Sequence, residues 1–333
     1  MRAILKSFAD PFLLALLGSV VLASLLPCSG RGAAVFGALA NAGIVLLFFL
    51  HGAKLSREAI VAGARNWRLH LVVLAFSYMV FPALGLGMTR LLPLPAVIAT
   101  GLLFLTLLPS TVQSSIAFTA LARGNVAAAV CSASLSNLLG VVLTPLLVSL
   151  LMSRSGASVG LGAIEKVALQ LVLPFALGHL SRPRIVNLLA RHKPIVGLVD
   201  RGAILLVVYT SFSAAVIEGL WHRLSPLLLA EVIGLSVLLL TAVLALTRAA
   251  GKLGGFSRED AIVILFCGSK KSLVSGVPLA GVLFPPAQVG LVVLPLMVFH
   301  QLQLIACAVI ARHYADAAER SDSPHLQPSS PRP

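Results

Sequence analysis

Two adjacent lysines, Lys270 and Lys271, lie in the middle of an otherwise apolar part of the sequence. Glycine, serine and proline surround them in residues 266–278, and apolar residues continue on both sides. A lysine at the centre of a bilayer costs roughly 2.5–3.5 kcal/mol unless its ammonium faces protein or water. The stretch therefore predicts an interrupted membrane helix that lines a cavity and offers positive charge to an anionic group.

A second polar stretch, residues 107–115, interrupts the earlier apolar run 96–121. Two interrupted helices at corresponding places in two halves of a chain indicate the binding site of a transporter. Polar side chains of the runs 126–152 and 289–311 are expected near this binding site. The alternative for each of them is a hydrogen bond to a neighbouring helix that only stabilises the fold. The candidate substrate- or ion-binding residues are Ser110, Thr111, Gln113, Ser114, Ser115, Ser134, Asn137, Ser269, Lys270, Ser272, His300 and Gln301; we assign no catalytic residue and no metal ligand.

The composition predicts a polytopic membrane protein. Hydrophobic residues make up 58% of the 333 residues and charged residues only 11%, whereas soluble domains carry about 25% charged residues. The net charge of +14 does not indicate nucleic-acid binding, because the basic residues concentrate between apolar runs and no aromatic and basic platform accompanies them. The four cysteines are scattered and show no spacing typical of a metal site or a disulfide framework.

Ten apolar runs predict ten membrane-spanning helices, since about 17–25 residues suffice to cross a bilayer. The runs comprise residues 12–27, 34–51, 69–92, 96–121, 126–152, 163–180, 202–218, 226–247, 261–284 and 289–311. Because five is odd, two groups of five must have opposite orientations. The predicted fold is therefore an all-α membrane protein with two inverted five-helix repeats, at 1–152 and 153–314, in which the fourth and ninth spans are broken and cross. Residues 315–333, rich in Ser and Pro, are predicted to form a disordered cytoplasmic tail.

The distribution of basic residues predicts the orientation in the membrane. With the amino terminus inside, most of the 25 lysine and arginine residues fall in cytoplasmic loops or at the termini. This bias is the one that the positive-inside rule requires. We therefore expect a multi-pass protein of the plasma (inner) membrane with both termini in the cytoplasm.

Four motifs resemble the bile acid:sodium symporter family. They are Leu-Pro-Ser-Thr-Val-Gln-Ser-Ser at 108–115, Ala-Arg-Gly-Asn-Val-Ala at 122–127, Leu-Thr-Pro-Leu-Leu at 143–147 and Phe-Cys-Gly-Ser-Lys-Lys-Ser-Leu at 266–273. They are most similar to the branch that contains solute carrier family ten member seven and its bacterial relatives, and the resemblance covers residues 11 to 314. It implies ten helices in two inverted repeats, a panel and a core domain, and unwound fourth and ninth helices that cross in the core.

The resemblance also implies sodium as a coupling ion, but the aligned ligand positions depart from the bile-acid branch. Side chains that bind sodium there correspond here to Ser77, Ala129, Ala133, Phe266 and Lys270. An ammonium at Lys270 would supply, tethered to the chain, the charge of a bound cation. The alternative is that one of the two lysines snorkels or pairs with carbonyls of the crossing.

The sequence thus predicts a secondary transporter that moves a small organic anion by alternating access, with sodium as the implied coupling ion. A proton-coupled or uncoupled carrier, and a regulator of ion homeostasis without coupled transport, are the alternatives. An enzyme is not expected, because the sequence shows no pattern of catalytic residues. No cofactor is expected, and the expected partners are the substrate and the lipid bilayer, with no nucleic acid. Substitution of Lys270 by alanine is predicted to weaken transport more than substitution of Lys271.

Overall fold

The computed structural model describes residues 11–54, 66–152, 168–223 and 225–322, and the regular elements of these residues are all helical. Residues 1–10, 55–65, 153–167 and 224, and residues 323–333 of the predicted tail, lie outside the described residues. The helices are α1 Pro11–Leu25, α2 Gly30–Lys54, α3 Trp67–Leu91, α4 Ala96–Thr106, α5 Gln113–Leu121, α6 Val126–Met152, α7 Leu173–Arg191, α8 Lys193–Ile217, α9 Pro226–Leu253, α10 Arg258–Gly268, α11 Leu273–Leu283 and α12 Pro286–Asp322. Short π-helical turns lie within α3 at Phe76–Val80 and before α7 at Ala168–Val172, and one helical turn at Leu220–Arg223 follows α8.

Seven helical segments of the described chain are long and apolar enough to cross a membrane. They are α2, α3, α6, α8, α9, the consecutive pair α10 and α11, and α12. The helices α1 and α4 are apolar but shorter. The predicted class, an all-helical membrane protein, is confirmed, whereas the count of ten spans and their inverted relation stay predictions.

Both predicted interruptions are confirmed. Residues 107–112 separate α4 from α5, and residues 269–272 separate α10 from α11. Serine specifies three of the helix starts. The side chains of Ser225, Ser257 and Ser272, which precede α9, α10 and α11, each accept a hydrogen bond from the backbone N–H three residues later.

Two helices continue beyond the ends of their apolar runs. The helix α7 reaches Arg191, although its apolar run ends at residue 180, and α12 reaches Asp322. Residues 315–322 are therefore helical, contrary to the prediction that a disordered tail begins at 315. The alanines Ala315, Ala317 and Ala318 favour a helix without any need for an apolar run, and Ala318 is buried.

The helices pack in two groups that mix both halves of the sequence. In the first group α2 lies against α7 and α8, and α1 lies against α8. In the second group α12 contacts α4, α9 and α11, and α10 contacts α3, α5, α6 and α9. The groups meet where α8 contacts α11 and α12. The two interruptions both belong to the second group.

The crossing of α2 and α7 depends on two glycines. A Cβ atom at Gly52 would overlap the carbonyl oxygen of Phe175, and one at Gly178 would overlap the carbonyl oxygen of Phe49. Because the obstacle in each case is backbone, a flexible side chain cannot move aside to make room. The two helices therefore approach more closely than any residue with a side chain would allow.

We expect Gly52→Ala and Gly178→Ala each to lower the free energy of unfolding by about 3 kcal/mol, the upper end for overpacking, because backbone must separate from backbone. Thermal unfolding of the purified protein in detergent measures the loss. Gly37→Ala, on α2 but with open space around the new methyl group, is the matched control. Equal stability of all three variants would contradict this account of the crossing.

Candidate functional site

The two interruptions contact each other through backbone and serine hydrogen bonds. The backbone N–H of Ser272 donates to the carbonyl oxygen of Pro109 at 2.9 Å. The hydroxyl of Ser110 donates to the carbonyl oxygen of Cys267 at 2.6 Å. Each bond satisfies a backbone group that the broken helix cannot satisfy itself, so the two interruptions stabilise each other. Ser110 and Ser272, predicted from the sequence, lie at this contact between residues 107–112 and 269–272, which we call the crossing.

A second set of predicted residues lies at the start of α5. The hydroxyl of Thr111 is 2.8 Å from that of Ser114 and 2.9 Å from that of Ser115. Ser115 also donates to the carbonyl oxygen of Phe266 at 3.1 Å, which adds another link between the two interrupted spans. Gln113, in contrast, is exposed, so its side chain does not contribute to this packing.

Asn137 of α6 connects the two interruptions from the side. Its Nδ2 donates to the carbonyl oxygens of Ser110 at 2.7 Å and Ala133 at 3.0 Å. Its Oδ1 accepts a hydrogen bond from the hydroxyl of Ser275 in α11 at 2.8 Å. One amide thus bonds to both broken spans at once. Ser134, one helical turn earlier, is half-buried.

Lys271 is fully buried, and backbone carbonyls surround its ammonium. Its Nζ donates to the carbonyl oxygens of Ser77 at 2.8 Å, Thr106 at 2.8 Å and Leu108 at 2.6 Å. The ring centroid of Phe81 lies 4.2 Å from the same nitrogen. An ammonium has three donors, so every donor of Lys271 is in use.

Lys270 is equally buried but lies in a different environment. Its Nζ is 4.0 Å from the ring centroid of Phe118 and 5.5 Å from that of Phe266. Within the described part of the chain this nitrogen has no hydrogen-bond partner and no carboxylate within ion-pair distance. The rings compensate part of the cost of burying the charge, and the donors have no acceptor within the described residues.

Lys271 thus shows the alternative stated for one of the two lysines, pairing with backbone carbonyls of the crossing. The role of Lys270 as a tethered cation stays a prediction. The two residues are adjacent in sequence, yet their ammonium groups have different partners. Ser269, just before them, donates from its hydroxyl to the carbonyl oxygen of Leu265 at 2.5 Å and ends α10. Lys271 is not among the candidate residues predicted from the sequence, although it belongs to the same polar stretch.

Gln303 of α12 is the second residue missing from the candidate set. Its Oε1 accepts from the backbone N–H of Lys271 at 2.9 Å, and its Nε2 donates to the carbonyl oxygen of Lys271 at 2.9 Å. The same Nε2 is 2.8 Å from Nδ1 of His300, one turn earlier. Gln301 is half-buried and lies on a different side of the helix. The helical spacing from His300 to Gln303 is the signal that could have identified this pair.

Three further buried groups support the first interruption. The hydroxyl of Ser136 accepts from the backbone N–H of Ser110 at 3.0 Å, and the hydroxyl of Thr144 donates to the carbonyl oxygen of Leu107 at 2.8 Å. The hydroxyl of Tyr78 donates to the carbonyl oxygen of Ser136 at 2.5 Å. Ser136, Asn137 and Thr144 of α6 therefore each bond to the unwound backbone of the first interruption.

The Ala-Arg-Gly-Asn segment has a structural function at one end of the crossing. Asn125 caps α6 by accepting from the backbone N–H of Ala128 at 3.0 Å, and its Nδ2 donates to Asp260 at 2.9 Å. A Cβ atom at Gly124 would lie 2.6 Å from a methyl group of Ile262. The segment thus ties the end of α5 and the start of α6 to α10.

Three positions aligned with sodium ligands of the bile-acid branch are apolar and fully buried. They are Ala129, Ala133 and Phe266. Their carbonyl oxygens accept from other side chains: that of Phe266 from Ser115, that of Ala133 from Asn137, and that of Ala129 from the Cys267 thiol at 3.8 Å. The side chains of alanine and phenylalanine carry no oxygen, so none of the three offers a ligand to a metal ion.

Comparison with known proteins gives matches over most of the chain. The chain is 56% identical over 310 residues to uncharacterized protein PA2026 of Pseudomonas aeruginosa, with 92% of this chain and 93% of the relative aligned. It is 49% identical over 313 residues to an Escherichia coli protein named "Putative symporter YfeH", with 93% and 94% aligned. Sodium/bile acid cotransporter 7 of Mus musculus is 27% identical over 276 residues, 80% of each chain.

The family assignment rests on a match to nearly the whole chain. Residues 10–316 match the model of the SBF-like CPA transporter family. This range includes every described helix except the last residues of α12. The resemblance to the bile acid:sodium symporters is thereby confirmed, and the buried crossing of two interrupted spans is the feature of the fold that fits membrane transport. The chain belongs to the SBF-like CPA transporter family.

Proposed function

We propose that this protein is a secondary transporter that moves a small organic anion across the membrane by alternating access. The observation that carries the proposal is the crossing itself. Two interrupted spans from different halves of the chain bond to each other, and the fully buried ammonium of Lys270 beside them has no hydrogen-bond partner among the described residues. An unpaired buried cation favours an anionic ligand, because the ligand would supply the missing acceptors.

The helix ends at the crossing support the choice of an anion. The amino-terminal ends of α5 and α11, at Gln113 and Leu273, both start at the interruptions. Each helix start carries partial positive charge, although the hydroxyl of Ser272 already accepts from one backbone N–H of α11. The carboxyl ends of α4 and α10 at the same interruptions carry the opposite partial charge, and Lys271 bonds to that of α4. Lys270 and the two helix starts are the groups that suit a carboxylate, sulfonate or phosphate group.

We propose the ten-helix inverted repeat, 1–152 and 153–314, as the architecture. Residues 42–47 of α2 resemble residues 201–206 of α8, and Gly43 packs directly against Ala203. Contact between corresponding segments is expected where an approximate twofold axis passes between two inverted repeats. The interruptions of the fourth and ninth spans then occupy equivalent places in the two repeats.

Placement in the plasma membrane with both termini in the cytoplasm is part of the same proposal. It rests on the excess of lysine and arginine on one side of the predicted spans. The lipid bilayer and the transported anion are the proposed partners, with no nucleic acid, no cofactor and no enzymatic activity.

The alternatives to the proposed mechanism differ in which ion gradient, if any, drives transport of the anion. A relative carries the name sodium/bile acid cotransporter 7, which makes sodium the first coupling ion to test and bile acids the first substrates. The apolar residues Ala129, Ala133 and Phe266 favour a carrier that does not use sodium at those positions. Proton coupling through Lys270, an uncoupled carrier, and a regulator of ion homeostasis without coupled transport are the other candidates.

Uptake into proteoliposomes tests the function. We expect saturable uptake and exchange of at least one anion from a panel of carboxylates, sulfonates and bile acids, and unchanged rates when sodium is replaced by potassium or choline. A series of pH gradients then separates a proton-coupled carrier from an uncoupled one. Strict dependence on sodium would support the sodium-coupled alternative, and an absence of exchange for the whole panel would support the non-transporting regulator.

A further inference from the structure

The environment of the Lys271 ammonium consists of backbone carbonyls from two different helices. Thr106 is the last residue of α4, and Leu108 follows shortly after it. Their carbonyl oxygens therefore lie at the negative end of the helix dipole, where carbonyl groups have no N–H partner within the helix. Ser77 lies in the π-helical turn of α3, where the backbone hydrogen-bond pattern shifts locally. The three oxygens converge on one nitrogen at 2.6 to 2.8 Å.

Three converging carbonyl oxygens and an aromatic face form a site that suits a small cation. Carbonyl oxygens replace the hydration shell of monovalent cations in selectivity filters, and an aromatic face adds electrostatic attraction. Here the ring of Phe81, 4.2 Å from the nitrogen, closes the site, and the site is fully buried. Without a cation the three oxygens would be buried together with their partial negative charges unopposed.

The backbone of Lys271 is held independently of its side chain. Gln303 bonds to both the N–H and the carbonyl oxygen of this residue, at 2.9 Å each, and the N–H of Ser272 donates to Pro109. Truncation of the side chain therefore leaves the surrounding chain in place. The space that the side chain occupied should remain open rather than collapse.

We propose that Ser77, Thr106 and Leu108 form a monovalent-cation site that the chain fills with the ammonium of Lys271, so that truncation of this side chain creates a site for a free cation. The free ligands that fit are alkylammonium, ammonium and potassium ions. If the protein is a transporter as proposed, transport needs no external cation at this place. The existence of the site itself does not depend on the proposed transport function.

The test uses the full-length protein in detergent and measures the midpoint of thermal unfolding. Lys271→Ala removes four side-chain heavy atoms, which n-propylammonium matches in number and charge. We expect Lys271→Ala to unfold at a lower temperature than the wild type, and saturating propylammonium, methylammonium or potassium to raise its midpoint by about 5 °C or more. The wild type should show no such difference between these salts and choline.

Three controls make the result specific. Lys271→Met fills the space without charge and should be destabilised but insensitive to every cation. Lys270→Ala removes an ammonium that has no hydrogen bond to a carbonyl oxygen of the described residues, so this variant should also be insensitive. The neutral 1-propanol, of similar shape to propylammonium, should not restore Lys271→Ala.

Some outcomes would overturn the proposal. They are a folded Lys271→Ala variant that responds to no small cation, or a response of equal size in Lys271→Met. If Lys271→Ala does not fold, Lys271→Ser, which keeps one hydroxyl donor, is extracted with propylammonium present; failure to recover folded protein with any small cation also counts against the site. Because unfolding requires no substrate, these outcomes are independent of whether uptake is observed.

Discussion

We expect Lys270→Met to lower uptake at least tenfold and to leave the protein at least as stable as the wild type. The ammonium of Lys270 has no hydrogen-bond partner within the described residues, so its removal breaks no bond and ends the cost of burying a charge. Replacement of buried charges by apolar groups of similar size is often neutral or stabilising by about 1–4 kcal/mol. Loss of the attraction to the Phe118 ring offsets up to about 2 kcal/mol of this, and the methionine sulfur retains a contact with the ring.

Uptake should fall at least tenfold in Lys270→Met, because the charge that we assign to anion binding is lost. The initial rate in proteoliposomes, for the anion that the panel identifies, and thermal unfolding of the same preparation measure the two effects. Lys252→Met, an equal substitution at an exposed lysine of α9, is the control and should change neither quantity. Normal uptake by Lys270→Met would show that this lysine does not bind the anion.

Asn137→Ala is the second large effect that we expect. It removes the bond to the carbonyl oxygen of Ser110 and the bond from Ser275, so both interrupted spans lose a partner. An unsatisfied buried polar group costs about 1–3 kcal/mol, and we expect a loss of about 2 kcal/mol in unfolding free energy with at least a tenfold loss of uptake. Thermal unfolding and uptake of the same preparation measure both quantities.

Asn137→Asp separates hydrogen bonding from packing, because the two side chains have the same shape. The aspartate can still accept from Ser275, but it places an oxygen against the carbonyl oxygens of Ser110 and Ala133. We therefore expect a loss at least as large as that of the alanine variant. Asn187→Ala, at an exposed asparagine of α7, should be neutral. An aspartate variant with wild-type stability and uptake would exclude Asn137 as the link between the spans.

The interruptions could be predicted from the sequence because their residue types are incompatible with a lipid-facing helix. Lysine, serine, glycine and proline within apolar runs leave unwinding in a protein-lined space as the physical solution, and the structure unwinds at 107–112 and 269–272. The division of roles between Lys270 and Lys271 could not be predicted in this way. Both lie in the unwound stretch, where the regular rotation of about 100° per residue no longer applies.

The choice between Gln301 and Gln303 depends on packing that the sequence does not contain. Both are polar residues in one apolar run, and only the rotation of α12 against α11 decides which side chain reaches the peptide of Lys271. The continuation of α12 beyond residue 311 could not be predicted from the apolar run for a related reason. Apolar runs mark the part of a helix inside lipid, whereas the helix itself continues for as long as its residues favour it.

The helix α12 is long, and it contacts the crossing through Gln303. Its 37 residues rise about 55 Å, well beyond a hydrocarbon core of about 30 Å. Gln303, which makes two hydrogen bonds to the backbone of Lys271, lies about 28 Å along this helix from its end at Asp322. A tilt of about 10° around that contact displaces the far end by about 5 Å. A rearrangement at the buried crossing that tilts α12 would therefore cause its largest displacement at the far end of this helix.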